Sequence, residues 1–153
     1  MPAATPSDGG PPPASIGTPV PVPAGKVEVR LSKASFGVGE AVRLTVANGS
    51  GKTIYTEDFK TVCSIVMLQR AEGGGAWKDI DGCGLGRPTV TVAIGPGLGH
   101  TVEIDPNSTH LRDGGNRTGF AAGRYRIKFG YRFDRDRMGE EPLVVYSPEF
   151  TVH

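Results

Sequence analysis

Residues 123–131 read Gly-Arg-Tyr-Arg-Ile-Lys-Phe-Gly-Tyr, and this alternation constrains the fold more than any other stretch of the chain. In an extended backbone Tyr125, Ile127, Phe129 and Tyr131 share one face, while Arg124, Arg126, Lys128 and Arg132 take the other. A period of two in aromatic and β-branched residues marks a strand with one face in a core and one in water. A charged loop follows, and then a second extended run from Leu143 to Val152, almost at the C-terminus. Together they predict the closing hairpin of an antiparallel sandwich.

The same grammar recurs upstream. Val27, Val29 and Leu31 alternate with Glu28 and Arg30, and Val42, Leu44 and Val46 alternate with Arg43 and Thr45. Asn48-Gly49-Ser50-Gly51 is a turn signal, because Asn and Gly tolerate positive φ, and it is read as a hairpin turn. Ile54-Tyr55 continues into a short edge segment. The run from Cys63 to Arg70 is apolar on both faces, which fits a central strand, and Trp77 to Ile80 pairs back after Glu72-Gly73-Gly74-Gly75. Val90, Val92 and Ile94 precede a Gly95-Pro96-Gly97 turn, and Val102 and Ile104 follow it; Asn107 to Gly119 reads as a polar surface loop. With 23 glycines and 13 prolines among 153 residues, long helices are disfavoured. The expected fold is all-β: an antiparallel two-sheet sandwich of seven to nine strands, large enough to bury its own core.

Residues 1–25 stand apart. They hold 8 of the 13 prolines, and Asp8 is their one charged side chain. A segment so poor in large apolar groups is expected to be a disordered, polyproline-biased linker, and residues 26–153 to be the domain. A tether and a partner-binding proline motif are the other readings of that linker. The first 25 residues carry neither a basic start nor an apolar stretch of the signal-peptide kind. No apolar run reaches the 18 residues of a membrane-spanning helix. A net charge of +1 does not call for nucleic acid or an anionic membrane.

The phrases from Val42 to Tyr55, Cys63 before an apolar strand, Trp77 after a glycine turn, Cys83, Gly95-Pro96-Gly97, Gly123-x-Tyr125 and the ending from Val145 to Val152 resemble those of bacterial immunoglobulin-like domains. Such domains occur in secreted and lipid-anchored proteins. The resemblance covers residues 26–153 and implies a non-catalytic binding or spacer module outside the cytoplasm. Its partner would be another protein or a cell-surface component, with no cofactor, and with a membrane met only through an upstream lipid anchor. Gly123 and Tyr125 also resemble a tyrosine corner, in which the phenol bonds backbone at a turn into the strand. Ile127 stands where antibody domains carry their second intersheet cysteine, so that pairing is absent.

Cys63 and Cys83 flank the predicted hairpin, lie near the same end of it and are placed to form a disulfide closing a loop of about 20 residues. Two unpaired thiols, or a two-cysteine metal site, are the alternatives. A disulfide would point to an oxidising compartment. Gly49-Ser50-Gly51-Lys52-Thr53 resembles the tail of a phosphate-binding loop, but Val46 occupies the place of its first glycine and no helix pattern follows. His100, His110 and His153 are scattered, and Ser108, His110 and Asp113 lie in one short polar loop with nothing to orient a catalytic triad. The loop 134–141 is the favoured interaction site, with Asp134, Arg135, Asp136, Arg137, Glu140 and Glu141. Calcium on its carboxylates and a plain solvated tip, with the arginines pairing the acids, are the competing readings. Arg124, Arg126 and Lys128 are expected to form a solvated basic row, and Trp77 to lie in the core rather than to serve as an exposed anchor. Two further functions are open: a proteinase inhibitor presenting 107–119 or the 134–141 tip, and a structural subunit of a surface assembly.

Overall fold

The computed structural model describes residues 12–84, 89–108, 111 and 120–153. Thirteen strands run through them: β1 (Ala14–Ser15), β2 (Thr18–Pro19), β3 (Val27–Leu31), β4 (Ser35–Phe36), β5 (Val42–Asn48), β6 (Ile54–Asp58), β7 (Met67–Ala71), β8 (Trp77–Asp79), β9 (Val90–Ile94), β10 (Leu98–Ile104), β11 (Gly123–Tyr131), β12 (Leu143–Tyr146) and β13 (Phe150–Val152). The fold is all-β; among the described residues the helical elements are two short 3-10 turns, at Gly73–Gly75 and Arg135–Arg137. The strands form three hydrogen-bonded sheets where two were expected. Their orders are β2-β10-β5-β3, β1-β9-β6, and β4-β13-β11-β7-β8 with β12 added on β11.

The alternation in 123–131 does what the sequence demands. Tyr125, Ile127 and Phe129 are fully buried and Tyr131 nearly so, stacked through Phe129 on Tyr131 and through Tyr125 on Phe150. Across the core stand Val42, Leu44 and Val46 of β5 and Val102 and Ile104 of β10. β11 pairs with β7 along one edge; along the other it takes β12 and then β13. Ser147 stitches the break between those two: its amide donates to Ile127 O at 2.9 Å, and its hydroxyl accepts from Ile127 N at 2.9 Å.

Two turns depart from the hairpins that their composition suggests. β5 lies in one sheet and β6 in another, so 49–53 is a crossover; the Gly95–Gly97 turn likewise carries the chain from β9 to β10 in a different sheet. One buried side chain holds both corners. Asn48 Nδ2 donates to Lys52 O at 2.7 Å and to Ile94 O at 2.9 Å, while its Oδ1 accepts from the Ser50 amide and hydroxyl. The continuous strand expected from Cys63 is shorter, because Cys63 to Val66 form a turn closed by a Val66 N–Cys63 O bond and β7 starts at Met67.

The proline-rich segment is also different from the expected disordered linker. Of it, residues 12–25 are described, and they lie on the sheets: β1 pairs parallel with β9, and β2 antiparallel with β10. Ile16 N donates to Ala93 O at 2.9 Å, Val20 N to Gly97 O at 3.1 Å and Gly25 N to Gly49 O at 2.6 Å. Apolar contact supplies the rest, with Ile16 packed on the core. At Gly99 any Cβ would stand 2.7 Å from a Val20 methyl, so glycine is what lets the segment approach.

Candidate functional site

The outward face of β8, β7, β11 and β12 is set by register. Gln69 faces Asp79 on one side and Arg126 on the other, Ala71 faces Trp77, and Lys128 faces both Met67 and Tyr146. Arg126 lies between two aromatic rings, its guanidinium carbon 4.4 Å from the Trp77 centroid and 3.8 Å from that of Tyr146. Its Nε donates to Gln69 Oε1 at 2.8 Å, and Gln69 Nε2 donates in turn to Asp79 Oδ1 at 2.8 Å. Trp77 is therefore not in the core: the Ala71 register of a three-residue edge strand turns it outward, half-buried against the arginine. Tyr146 is 46% exposed, beside exposed Leu143 and Val144 on β12, which pairs with β11 alone among the described strands. The expected basic row is thus an arginine held by aromatic rings and an amide, next to Lys128 (Fixed guanidinium–ring contacts contribute about 0.5–1 kcal/mol each at exposed sites).

Beside this face the sheet splits. β7 leaves β11 after the Lys128–Met67 pair, and the next partner on that edge is Tyr55, which exchanges both backbone bonds with Arg132. The gap is a cavity of about 190 Å³. Phe59, Ile65, Met67 and Pro142 make its apolar wall, and Glu57, Asp79, Lys128 and Arg132 bring charges to it. Thr56 closes part of the seam, its hydroxyl donating to Gly130 O at 2.7 Å.

Arg132 joins this cavity to the loop expected to interact. Its Nε donates to Glu140 O at 2.7 Å. Within the loop Arg137 pairs with Asp134 at 3.4 Å and with Glu140 at 3.5 Å, and Asp134 Oδ1 accepts from the Asp136 amide at 2.9 Å. Arg135, Asp136 and Arg137 form the short 3-10 turn, with Glu141 exposed beyond it. Asp134, Arg137 and Glu140 thus answer one another; among the described residues no cluster of three or more His, Cys, Asp or Glu converges as metal ligands do.

Cys63 and Cys83 are joined in a disulfide across 5.1 Å between Cα atoms, and Thr61 anchors the same end through a 2.7 Å bond to Cys83 O. Tyr125 donates its phenolic hydrogen to Ala121 O at 2.6 Å, two residues before Gly123. Of the histidines, His153 Nδ1 meets Ser35 Oγ at 2.8 Å. His100 is half-buried with Nε2 3.4 Å from Ser64 Oγ; burial holds its pKa below the usual value, and Asp58 opposes that shift. His110 and Asp113, with most of the 107–119 loop, lie outside the described residues. Sequence reading missed the Trp77–Arg126–Tyr146 stack and the split at Gly130. The signal available for the stack was an aromatic residue in each of the runs flanking an arginine-bearing strand.

No family model matches the chain, and no curated protein matches it. Similar solved structures include the Pseudomonas fluorescens alkylpurine DNA glycosylase AlkC bound to DNA containing an abasic site analogue, at 16% identity and a TM-score of 0.39, over 86% of this chain and 31% of that one. The β-glucosidase EmGH1 of Erythrobacter marinus is similar at 15% identity and a TM-score of 0.40, over 82% of this chain and 15% of the enzyme. A Listeria innocua β-glucosidase is similar at 16% identity and a TM-score of 0.37, over 83% and 16%. The chain spans less than a third of each of these proteins, and likeness at this level assigns no activity.

Proposed function

We propose that this chain is a non-catalytic, extracytoplasmic binding module of immunoglobulin-like sandwich type, displayed from its proline-rich N-terminus. It engages another protein or a cell-surface component through the outward face of β8, β7, β11 and β12, with the 134–141 loop at the border of the contact. The observation that carries this reading is the Trp77–Arg126–Tyr146 stack on an exposed sheet. Aromatic and arginine side chains held rigid before contact lose little entropy on binding, and they are the types that anchor interfaces. The disulfide supports the compartment, since such bonds persist where the surroundings are oxidising. Three features support the two-layer sandwich. β4 and β13 run parallel at one edge, the Tyr55–Arg132 bridge joins the small sheet to the largest, and the Tyr125 phenol bonds four residues upstream as tyrosine corners do.

The test is binding of the labelled chain to the cell-envelope fraction of its own source organism. Trp77→Ala and Tyr146→Ala are expected to lower affinity at least about tenfold while thermal melting stays near that of the parent. Unchanged binding by both would remove the recognition face. Stoichiometric inhibition in a panel of proteases would replace this reading with that of a proteinase inhibitor.

A further inference from the structure

The cavity where the sheet splits has a charge arrangement that extends beyond the recognition face. Two cations, Lys128 and Arg132, and two carboxylates, Glu57 and Asp79, border one hollow. Among the described residues they do not pair across it. Glu57 accepts from Thr89 Oγ1 at 3.0 Å, Asp79 from Gln69, and Arg132 donates to Glu140 O, while the Lys128 ammonium has no hydrogen-bond or ion-pair partner among the described residues. Opposite charges within reach of one space normally collapse onto each other; here backbone and neutral side chains hold three of them in place. A site of this kind is organised before its ligand arrives.

A backbone donor adds to it. Along the β7 edge of β11, Arg126 and Lys128 pair with Gln69 and Met67, and Arg132 pairs with Tyr55. Successive residues of a strand point their backbone groups to alternate sides, so Gly130 addresses the same edge, in the gap. Its carbonyl is taken by Thr56, and its amide is the one on this edge that neither β7 nor β6 pairs. A Cβ on Gly130 would sit 3.3 Å from Pro142, which lines the hollow, so a larger residue would fill the space rather than frame it.

We infer that this cavity binds a free zwitterionic α-amino acid with an apolar side chain. The ligand carboxylate is met by the Lys128 ammonium and the Gly130 amide, its ammonium by Glu57 and Asp79, and its side chain by Phe59, Ile65 and Met67. Charge-assisted bonds at both ends supply orientation. At 190 Å³ the volume equals that of about six waters, which is the scale of leucine or methionine and too small for a drug-sized molecule. The net charge of the lining is zero, which matches a zwitterion and neither a bare anion nor a bare cation.

The inference stands apart from the macromolecular reading, and its experiment reads small-molecule binding, which Trp77→Ala and Tyr146→Ala should leave unchanged. Calorimetric titration of the full chain with L-leucine, L-methionine and L-phenylalanine is compared with N-acetyl-L-leucine, which keeps only the negative end, and L-leucinamide, which keeps only the positive one. At least one free amino acid is expected to bind at least about tenfold more tightly than either derivative. Lys128→Gln and Asp79→Asn, both surface changes, are each expected to weaken that binding about tenfold, with Gly130→Val blocking it. No binding of any free amino acid up to about 10 mM would overturn the proposal. Equal binding of N-acetyl-L-leucine would also overturn it, by showing a carboxylate site with no use for Glu57 and Asp79.

Discussion

Asn48 has no exposed surface, and its side chain bonds Lys52 O, Ile94 O and the Ser50 amide, on two separate corners. Its role cannot be passed to a residue lacking either the donor or the acceptor. His100 is the residue with a consequence for pH. Its pKa in the folded chain lies below the usual imidazole value of 6.5, chiefly because burial disfavours the charged ring. Below pH 6.5 the unfolded chain therefore takes up a proton before the folded one does, and stability falls as pH drops toward the folded value. The midpoint of urea unfolding should be lower at pH 5.5 than at pH 7.5, and His100→Gln should flatten that difference. An identical pH profile in the variant would show that another group sets it. Glu40, whose pKa is lowered by its Lys33 partner, acts in the same direction but only below the usual carboxylate value of 4.5, outside that window.

At the scale of elements, the β7–β8 hairpin and the segment before it are held by the Cys63–Cys83 bond, which closes a 20-residue separation. In the chain-entropy account such a closure contributes about 3 kcal/mol. The double variant Cys63→Ala/Cys83→Ala should lose about that much in denaturant unfolding, and a loss well under 1 kcal/mol would mean that the hairpin is ordered without it. The N-terminal strap is a second such element. Starting the chain at Lys26 removes the Ile16, Val20 and Gly25 backbone bonds and bares edges of β9 and β10. Stability should fall by about 2 kcal/mol or more, and light scattering should rise as free edges meet. A truncated chain as stable and as monodisperse as the whole would reduce the strap to a passenger. Gly49→Ala should give a comparable loss, since the new Cβ would stand 2.1 Å from Pro23 O and 2.7 Å from Lys26 O, both backbone atoms that must move to make room.

Over the whole molecule β11 is the hub. It pairs with β7, β12 and β13, its continuation at Arg132 meets β6, and its inward aromatics span the core. Amides of Tyr125 to Phe129 should exchange with deuterium only through global unfolding, while those of β1 and β2 exchange through local opening at lower free energy. Fast exchange in β11 would contradict that hub role. That hub was legible from one alternation, as were β5 in another sheet, the β7–β8 hairpin and the cysteine pair, because each is written in local periodicity and turn chemistry. The sheet count was not. Asn48-Gly49-Ser50-Gly51 specifies that the chain turns, but a turn composition is the same whether the next strand pairs with the last one or crosses to another sheet. Residues 12–25 depart from the expected disorder for a related reason: their place on the sheets rests on Gly99 and Gly49 leaving room in distant strands, and no local pattern records that room. The sequence by itself determined which residues face inward and that the chain folds as strands, since alternation and turn propensity act over a few residues. Tertiary structure alone decided that Trp77 and Tyr146 close on Arg126, and that β7 parts from β11 to open a charged hollow at Gly130, because register between strands far apart in sequence sets which side chains become neighbours.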